Sequence, residues 1–176
     1  MATPDYFHKI DPFWDDEFKR LEYTFEPFNE PEATEFWLYK GYANKFTGAM
    51  CDMRNPQPSW NHKIIEYFAE LGWKDIGTSY YRMGPGTILP NHQDKYVKYI
   101  KLFNLQGKEA TIRRGLILLE DWASGHYLEL DNIPIVGWKK GDLAIWANDT
   151  PHIAANMGLT PRYTLQVTGH IDEDKQ

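Results

Sequence analysis

Thr87-Ile88-Leu89-Pro90-Asn91-His92-Gln93-Asp94 is the stretch on which the fold turns. Gly84-Pro85-Gly86 precedes it, so Thr87–Gln93 reads as a strand entered through a tight turn. Residues two apart in an extended chain share a face, so His92 and Asp94 project together. One imidazole nitrogen and one carboxylate oxygen can then hold a single metal ion without distorting the backbone. A second histidine arriving from another strand completes two His and one carboxylate. That set leaves coordination positions open and suits Fe(II) working with O2 and a co-substrate. His152, behind the turn-forming Asn148-Asp149-Thr150-Pro151, is the candidate for the third ligand.

Outward from this stretch the chain keeps a strand rhythm from Gly72 onward. Short β-branched and aromatic runs alternate with turn residues: Asp75–Met83, Thr87–Gln93, Thr111–Leu119, His126–Leu130, Leu143–Trp146, Ile153–Asn156 and Tyr163–Gly169. Strands at this spacing predict a mainly β fold, a sandwich or barrel-like jelly roll. In the last of them Arg162, Thr164, Gln166 and Thr168 fall on one face and Tyr163, Leu165 and Val167 on the other. Pointed into a barrel, the polar face offers a guanidinium fork and a hydroxyl to one carboxylate. Lys95–Gly107, with Tyr96, Tyr99 and three lysines, breaks the rhythm directly after Asp94. It reads either as a lid or substrate loop or as a plain surface excursion.

The first 72 residues differ in character and read as a mixed, helix-bearing region packed on a β core spanning 73–171. Asp11-Pro12 starts a short helix through about Lys19-Arg20-Leu21, with Phe13, Trp14 and Phe18 on its apolar side. Pro31 to Tyr42 is ambiguous between helix and strand. Ser59 is read as the N-cap of the clearest helix, in which Ile64, Ile65, Phe68, Ala69 and Leu71 recur at helical spacing before Gly72. This N-terminal third is open to three uses: packing on the barrel, dimerising, or shaping a substrate cleft.

Composition narrows the function classes. At 176 residues one domain with a real core is expected. The formal net charge of −6 argues against a nucleic-acid binder working through a broad basic surface. A single cysteine, Cys51, allows no internal disulfide and reads as a small buried apolar residue. No run approaches the roughly 18 apolar residues needed to span a bilayer, and Met1–Asp5 lacks a signal-peptide start. The expected location is cytoplasmic.

Ordered along the chain, His92-x-Asp94, then His152, then Arg162-x-Thr164 resembles the 2-oxoglutarate- and Fe(II)-dependent dioxygenases, over roughly Gly72 to Gly169. Gly84–Pro90 ahead of the histidine, and Trp138-Lys139-Lys140-Gly141-Asp142 ahead of the strand leading to His152, are similar to the aspartyl/asparaginyl hydroxylase branch. Leu118–Trp122 is similar to the prolyl hydroxylases. The aspartyl hydroxylase branch often lacks the carboxylate that Asp94 supplies here, which leaves the branch open.

The resemblance implies a double-stranded β-helix (a cupin-like jelly roll) with helices outside and iron held by His92, Asp94 and His152. It places the distal carboxylate of 2-oxoglutarate on Arg162 and Thr164. Arg113 falls where related enzymes put a basic residue touching the co-substrate, against a surface Arg. Tyr81 falls where a strand side chain meets the distal carboxylate, against a core Tyr. The implied reaction consumes 2-oxoglutarate and O2, releases succinate and CO2, and hydroxylates an amino acid, free or peptidyl. With Asp94 in place, halogenation, which needs that ligand position vacant, is disfavoured.

The alternatives are another oxidation by the same centre, a jelly roll that binds metal or a small ligand without catalysis, and a β domain in which the three ligands never meet. Other candidates read as bland. His170-Ile171-Asp172 repeats His-x-Asp with nothing downstream to complete a site. His126 is a surface residue or a substrate contact, Asp149 a turn or outer-sphere acid, and His62 a surface or capping residue. Trp146 is core or pocket lining, and Arg114 points away from Arg113.

Overall fold

The computed structural model describes residues 7–28, 30–43 and 46–172. From Lys74 on, strands are assigned in turn to one of two sheets: β4 (Lys74–Met83), β6 (Ile112–Leu118), β9 (Asp142–Ala147) and β11 (Arg162–His170) to the larger, and β5 (Thr87–His92), β7 (His126–Leu130), β8 (Ile133–Ile135) and β10 (His152–Asn156) to the smaller. All described pairings are antiparallel. A chain that crosses between two antiparallel sheets at almost every strand is a double-stranded β-helix, the expected jelly roll. These four strands of the larger sheet run β9-β6-β11-β4 and the smaller sheet runs β5-β10-β7-β8.

The N-terminal region does more than pack outside. Its strands β1 (Phe7–Lys9), β2 (Thr24–Phe25) and β3 (Ala49–Asp52) extend the larger sheet at both edges. Pro31 to Tyr39 resolves as a helix, α1, with Pro31 in its first turn, where the missing N–H costs nothing. The helix expected from Asp11 is a 3-10 turn over Asp16–Arg20 capped by Asp15, whose carboxylate accepts from the Glu17 amide. α2 spans Asn61–Glu70 and starts two residues after Ser59, while Gly72 takes φ +84° at its end.

Two apolar clusters make three layers. One holds Ile64 and Phe68 of α2, with Trp14 and Phe18, against Tyr80, Ile117, Leu165 and Val167 on the outer side of the larger sheet. The other lies between the sheets and joins Leu89, Leu116, Leu118, Leu128 and Trp146 to Trp37 of α1. Both faces of the larger sheet are therefore covered, which is why Gly115–Leu118 of β6 and Leu143–Ala147 of β9 read as continuous apolar runs.

Gly115 sits under Phe68 of α2, and a Cβ there would lie 2.8 Å from the Phe68 ring. Phe68 is fully buried and cannot swing aside. Gly115→Ala is expected to cost roughly 1–3 kcal/mol by overpacking. Urea titration checks this: a midpoint equal to wild type would mean that the α2 interface yields freely.

Two segments differ from the sequence reading. Val97–Phe103 is a short helix, α3, flanked by Tyr96 and Asn104 in left-handed backbone, φ +49° and +55°. None of its residues is buried, so no apolar stripe announced it. β8 follows a two-residue turn, Asp131-Asn132, both with positive φ. That is the hairpin chemistry Asp and Asn tolerate, and the signal was present in the sequence.

Candidate metal centre

β5 ends at His92, so Asp94 stands just beyond the strand rather than in it. Gln93 ties this exit to the turn before β10 by donating its amide to the Asp149 carbonyl. β10 runs antiparallel to β5 with His152 directly opposite His92, and a register irregularity follows between His152 and Ala154. The two imidazole centroids are 4.1 Å apart. Asp94 approaches both, with Oδ1 3.9 Å from His92 Nε2 and Oδ2 3.9 Å from His152 Nε2. One donor atom from each of the three lies within 4.8 Å of the others. Sixty residues of chain separate the two histidines, and the jelly roll brings them face to face.

The tautomers suit a metal. His92 Nδ1 is 2.8 Å from the Pro90 carbonyl and His152 Nδ1 is 3.0 Å from the Thr150 carbonyl. A carbonyl only accepts, so each Nδ1 carries the proton and each Nε2 presents its lone pair inward. Rings crowd around: Phe28 and Trp37 meet His92 edge-on, and Trp146 packs on His152. The N-terminal third thus walls the site.

Electrostatics prepare the same set. Burial, with His92 beside it, pushes His152 down to about 4. Burial also lowers His92. For Asp94 burial works upward, but the Arg114 guanidinium and the two imidazoles outweigh it and hold the carboxyl well below its usual range. At neutral pH the three side chains are already in the protonation states in which they could bind a metal. Metal affinity is therefore expected to change by less than about threefold between pH 7.5 and 6.0, whereas two histidines of ordinary pKa would lose more than about tenfold. Competition with a chelating dye checks this; a steep fall toward pH 6 would mean that the histidines are exposed.

A cavity of ≈ 180 Å³ opens onto these ligands. Arg162, Tyr81 and Gln166 line it from the larger sheet, and Leu89, Leu128 and Ala154 from the smaller. Arg162 is 6% exposed. Its Nη1 donates to the Tyr127 carbonyl at 2.6 Å, its guanidinium lies 5.9 Å from the Trp138 ring centre, and its Nε is buried with no partner. Among the described residues no carboxylate pairs with it, and burial pushes its pKa down to about 10. A buried cation without a counter-ion is costly unless an anion arrives. Thr164 is buried between Arg162 and Gln166 on the same face of β11 but, unlike those two, does not itself line the cavity. Burial pushes Tyr81 up to about 12, so its phenol stays a donor.

Arg113 is placed elsewhere. Its Nη1 donates to the Ala110 and Ile112 carbonyls, and it does not line the cavity. Its neighbour Arg114 does, with Nη2 2.9 Å and Nε 3.3 Å from Asp94 Oδ2. The pleat sends adjacent residues to opposite faces, and β6 presents Arg114 with Leu116 and Leu118 inward. His126 is buried outside the cavity, near the Thr160 carbonyl at 3.1 Å, and His170 pairs with Asp75. Glu26 and Phe28, which the sequence reading passed over, also line the cavity, and no local motif marks them.

The fold is a cupin-like double-stranded β-helix, and it carries a His-Asp-His group that could hold a metal. No protein-family model and no curated protein sequence matches the chain. Among solved structures, a prolyl-4-hydroxylase from Pseudomonas putida superposes with a TM-score of 0.56 at 13% identity, covering 89% of this chain and 96% of that one. A cupin protein from Bacteroides fragilis gives 0.40 at 14% identity over 57% and 70% of the two chains. A predicted oxalate decarboxylase from Thermotoga maritima gives 0.39 at 13% over 70% and 80%. Among the described residues no helix is long and apolar enough to cross a membrane.

Proposed function

We propose that this chain is an Fe(II)- and 2-oxoglutarate-dependent dioxygenase that hydroxylates an amino acid, free or within a peptide. The observation that carries the reading is Arg162, a buried guanidinium with no acidic partner among the described residues, lining the same cavity as His92, Asp94 and His152. A module that only bound a metal has no use for a second, uncompensated charge in that cavity. A dicarboxylate that joins the metal at one end and Arg162 at the other accounts for both. The prolyl-4-hydroxylase among the similar folds is consistent with this chemistry.

Bound Fe(II) would supply open coordination positions and the electrons that let O2 react, so that 2-oxoglutarate, O2 and a C–H bond become succinate, CO2 and C–OH. The protein's own groups do the rest. His92 and His152 would present Nε2, held in place by their Nδ1–H bonds, and Asp94 would add one anionic ligand. Arg162 would bind the distal carboxylate, with Thr164 and Tyr81 as hydroxyl donors beside it. Leu89, Leu116, Leu128 and Trp146 keep water from the reacting atoms. Pockets for drug-sized ligands run to about 300–1,000 Å³, so a cavity of ≈ 180 Å³ suits a small diacid, and a peptide would offer only a side chain at the mouth.

The test is succinate formation from 2-oxoglutarate by purified protein with Fe(II) and O2. Turnover uncoupled from a prime substrate is sufficient, so the substrate need not be known. Metal-dependent succinate supports the oxygenase. Neither succinate nor metal-dependent binding of 2-oxoglutarate would move the protein to the non-catalytic metal-binding jelly rolls.

A further inference from the structure

The two oxygens of Asp94 stand in unequal positions. Oδ2 accepts twice from Arg114, from Nη2 at 2.9 Å and Nε at 3.3 Å. Oδ1 accepts no hydrogen bond among the described residues; each oxygen stands 3.9 Å from one imidazole, Oδ1 from His92 Nε2 and Oδ2 from His152 Nε2, so the inequality lies in the two bonds that occupy the lone pairs of Oδ2. Arg114 is itself fixed from three sides. Its Nη1 donates to Thr168 Oγ1 at 2.6 Å, Tyr96 lies under the guanidinium with 5.0 Å to the ring centre, and the side chain is only 13% exposed. Thr168 is directly opposite Arg114 in the β6–β11 ladder, so backbone register sets where the guanidinium sits.

A carboxylate with both oxygens free can grip a divalent ion through one or through both. Gripping through both would occupy a further coordination position, one the proposed chemistry needs for co-substrate or O2. To do so here, Asp94 would have to leave two charge-assisted bonds in a partly desolvated site, bonds of the strong kind. Resting on the reading of His92, Asp94 and His152 as metal ligands, we propose that Arg114 is a positioning residue that makes Asp94 a one-oxygen ligand. It holds Oδ2, turns Oδ1 toward the metal, and so keeps one position free. Thr168 and Tyr96 hold Arg114 for that task.

The prediction can be read without turnover. Mn(II) takes about six ligands, so three protein donors leave about three water positions and four leave about two. Water-proton relaxation by Mn(II) bound to the full chain counts them. Wild type is expected to show about three waters and Arg114→Met about two, lowering the relaxation enhancement by roughly a third. Arg114→Lys, which keeps a point charge without the fork, is expected to fall between.

A wild-type water number in Arg114→Met overturns the proposal, as does a wild type that already shows two. Should Arg114→Met not fold, an unchanged water number in Arg114→Lys overturns it equally. Failure of wild type to bind Mn(II) at all is a different result: it would refute the metal centre itself.

Discussion

His152→Ala is expected to lower metal affinity by about two orders of magnitude or more and to abolish metal-dependent succinate formation. Altering groups that merely support a ligand costs about 10–100-fold, and His152 is proposed to be a ligand itself. Among the described residues no other His, Cys, Asp or Glu joins His92 and Asp94 in a group that could hold a metal, so none takes its place. Folding should survive. The substitution removes a neutral buried ring and leaves a small void, a loss of about 1–3 kcal/mol. Metal content after dialysis against limiting Fe(II) or Mn(II), together with circular dichroism, separates the two effects. A folded variant that keeps one ion per chain at wild-type affinity would show that the three ligands do not act as a set.

Arg162→Met is expected to move stability and function in opposite directions. Burial lowers the Arg162 pKa from its ordinary 12.5 to about 10, a cost of roughly 3 kcal/mol for keeping the charge in place. The substitution removes that cost but also the bond to the Tyr127 carbonyl and the contact with Trp138, leaving a net gain of about 1–2 kcal/mol. For a chain of this size that is roughly 3–6 °C in thermal midpoint. The same change removes the guanidinium proposed to bind the distal carboxylate. The 2-oxoglutarate concentration for half-maximal succinate formation should rise about a hundredfold, the loss expected when a buried charge-assisted pair disappears. Calorimetry on metal-free protein and a co-substrate titration check the two halves. A midpoint that falls, with unchanged co-substrate dependence, would make Arg162 a structural strut. Stability gained where activity is lost is the signature of a group kept for function.

Much of this was legible along the chain because it depends on local periodicity. The alternation in Arg162–Gly169 placed Arg162 and Gln166 on one face and Leu165 and Val167 on the other, and the structure keeps that division, cavity on one side and the α2 layer on the other. The rhythm of short strands and turns pointed to a jelly roll, and α2 announced itself through Ile64 and Phe68. What escaped notice lacked such a pattern. α3 buries nothing, and β1–β3 are short strands of two to four residues added at the flanks of the larger sheet, too short to show a period.

The sequence by itself determined the ligand types, their order and the two-faced character of the last strand, because residue chemistry and the period-two pleat are properties of the local chain. Only the tertiary structure decided which arginine of Arg113-Arg114 enters the site. Both faces of β6 are apolar, Gly115 and Ile117 toward α2 and Leu116 and Leu118 toward the smaller sheet, so alternation alone cannot say which face is inside. The meeting of His92 with His152, the isolation of Arg162 from any acid among the described residues, and the rings of Phe28 and Trp37 against His92 were decided there too. Each depends on which strands become neighbours, and that is settled by burying two apolar faces at once rather than by any stretch of chain alone.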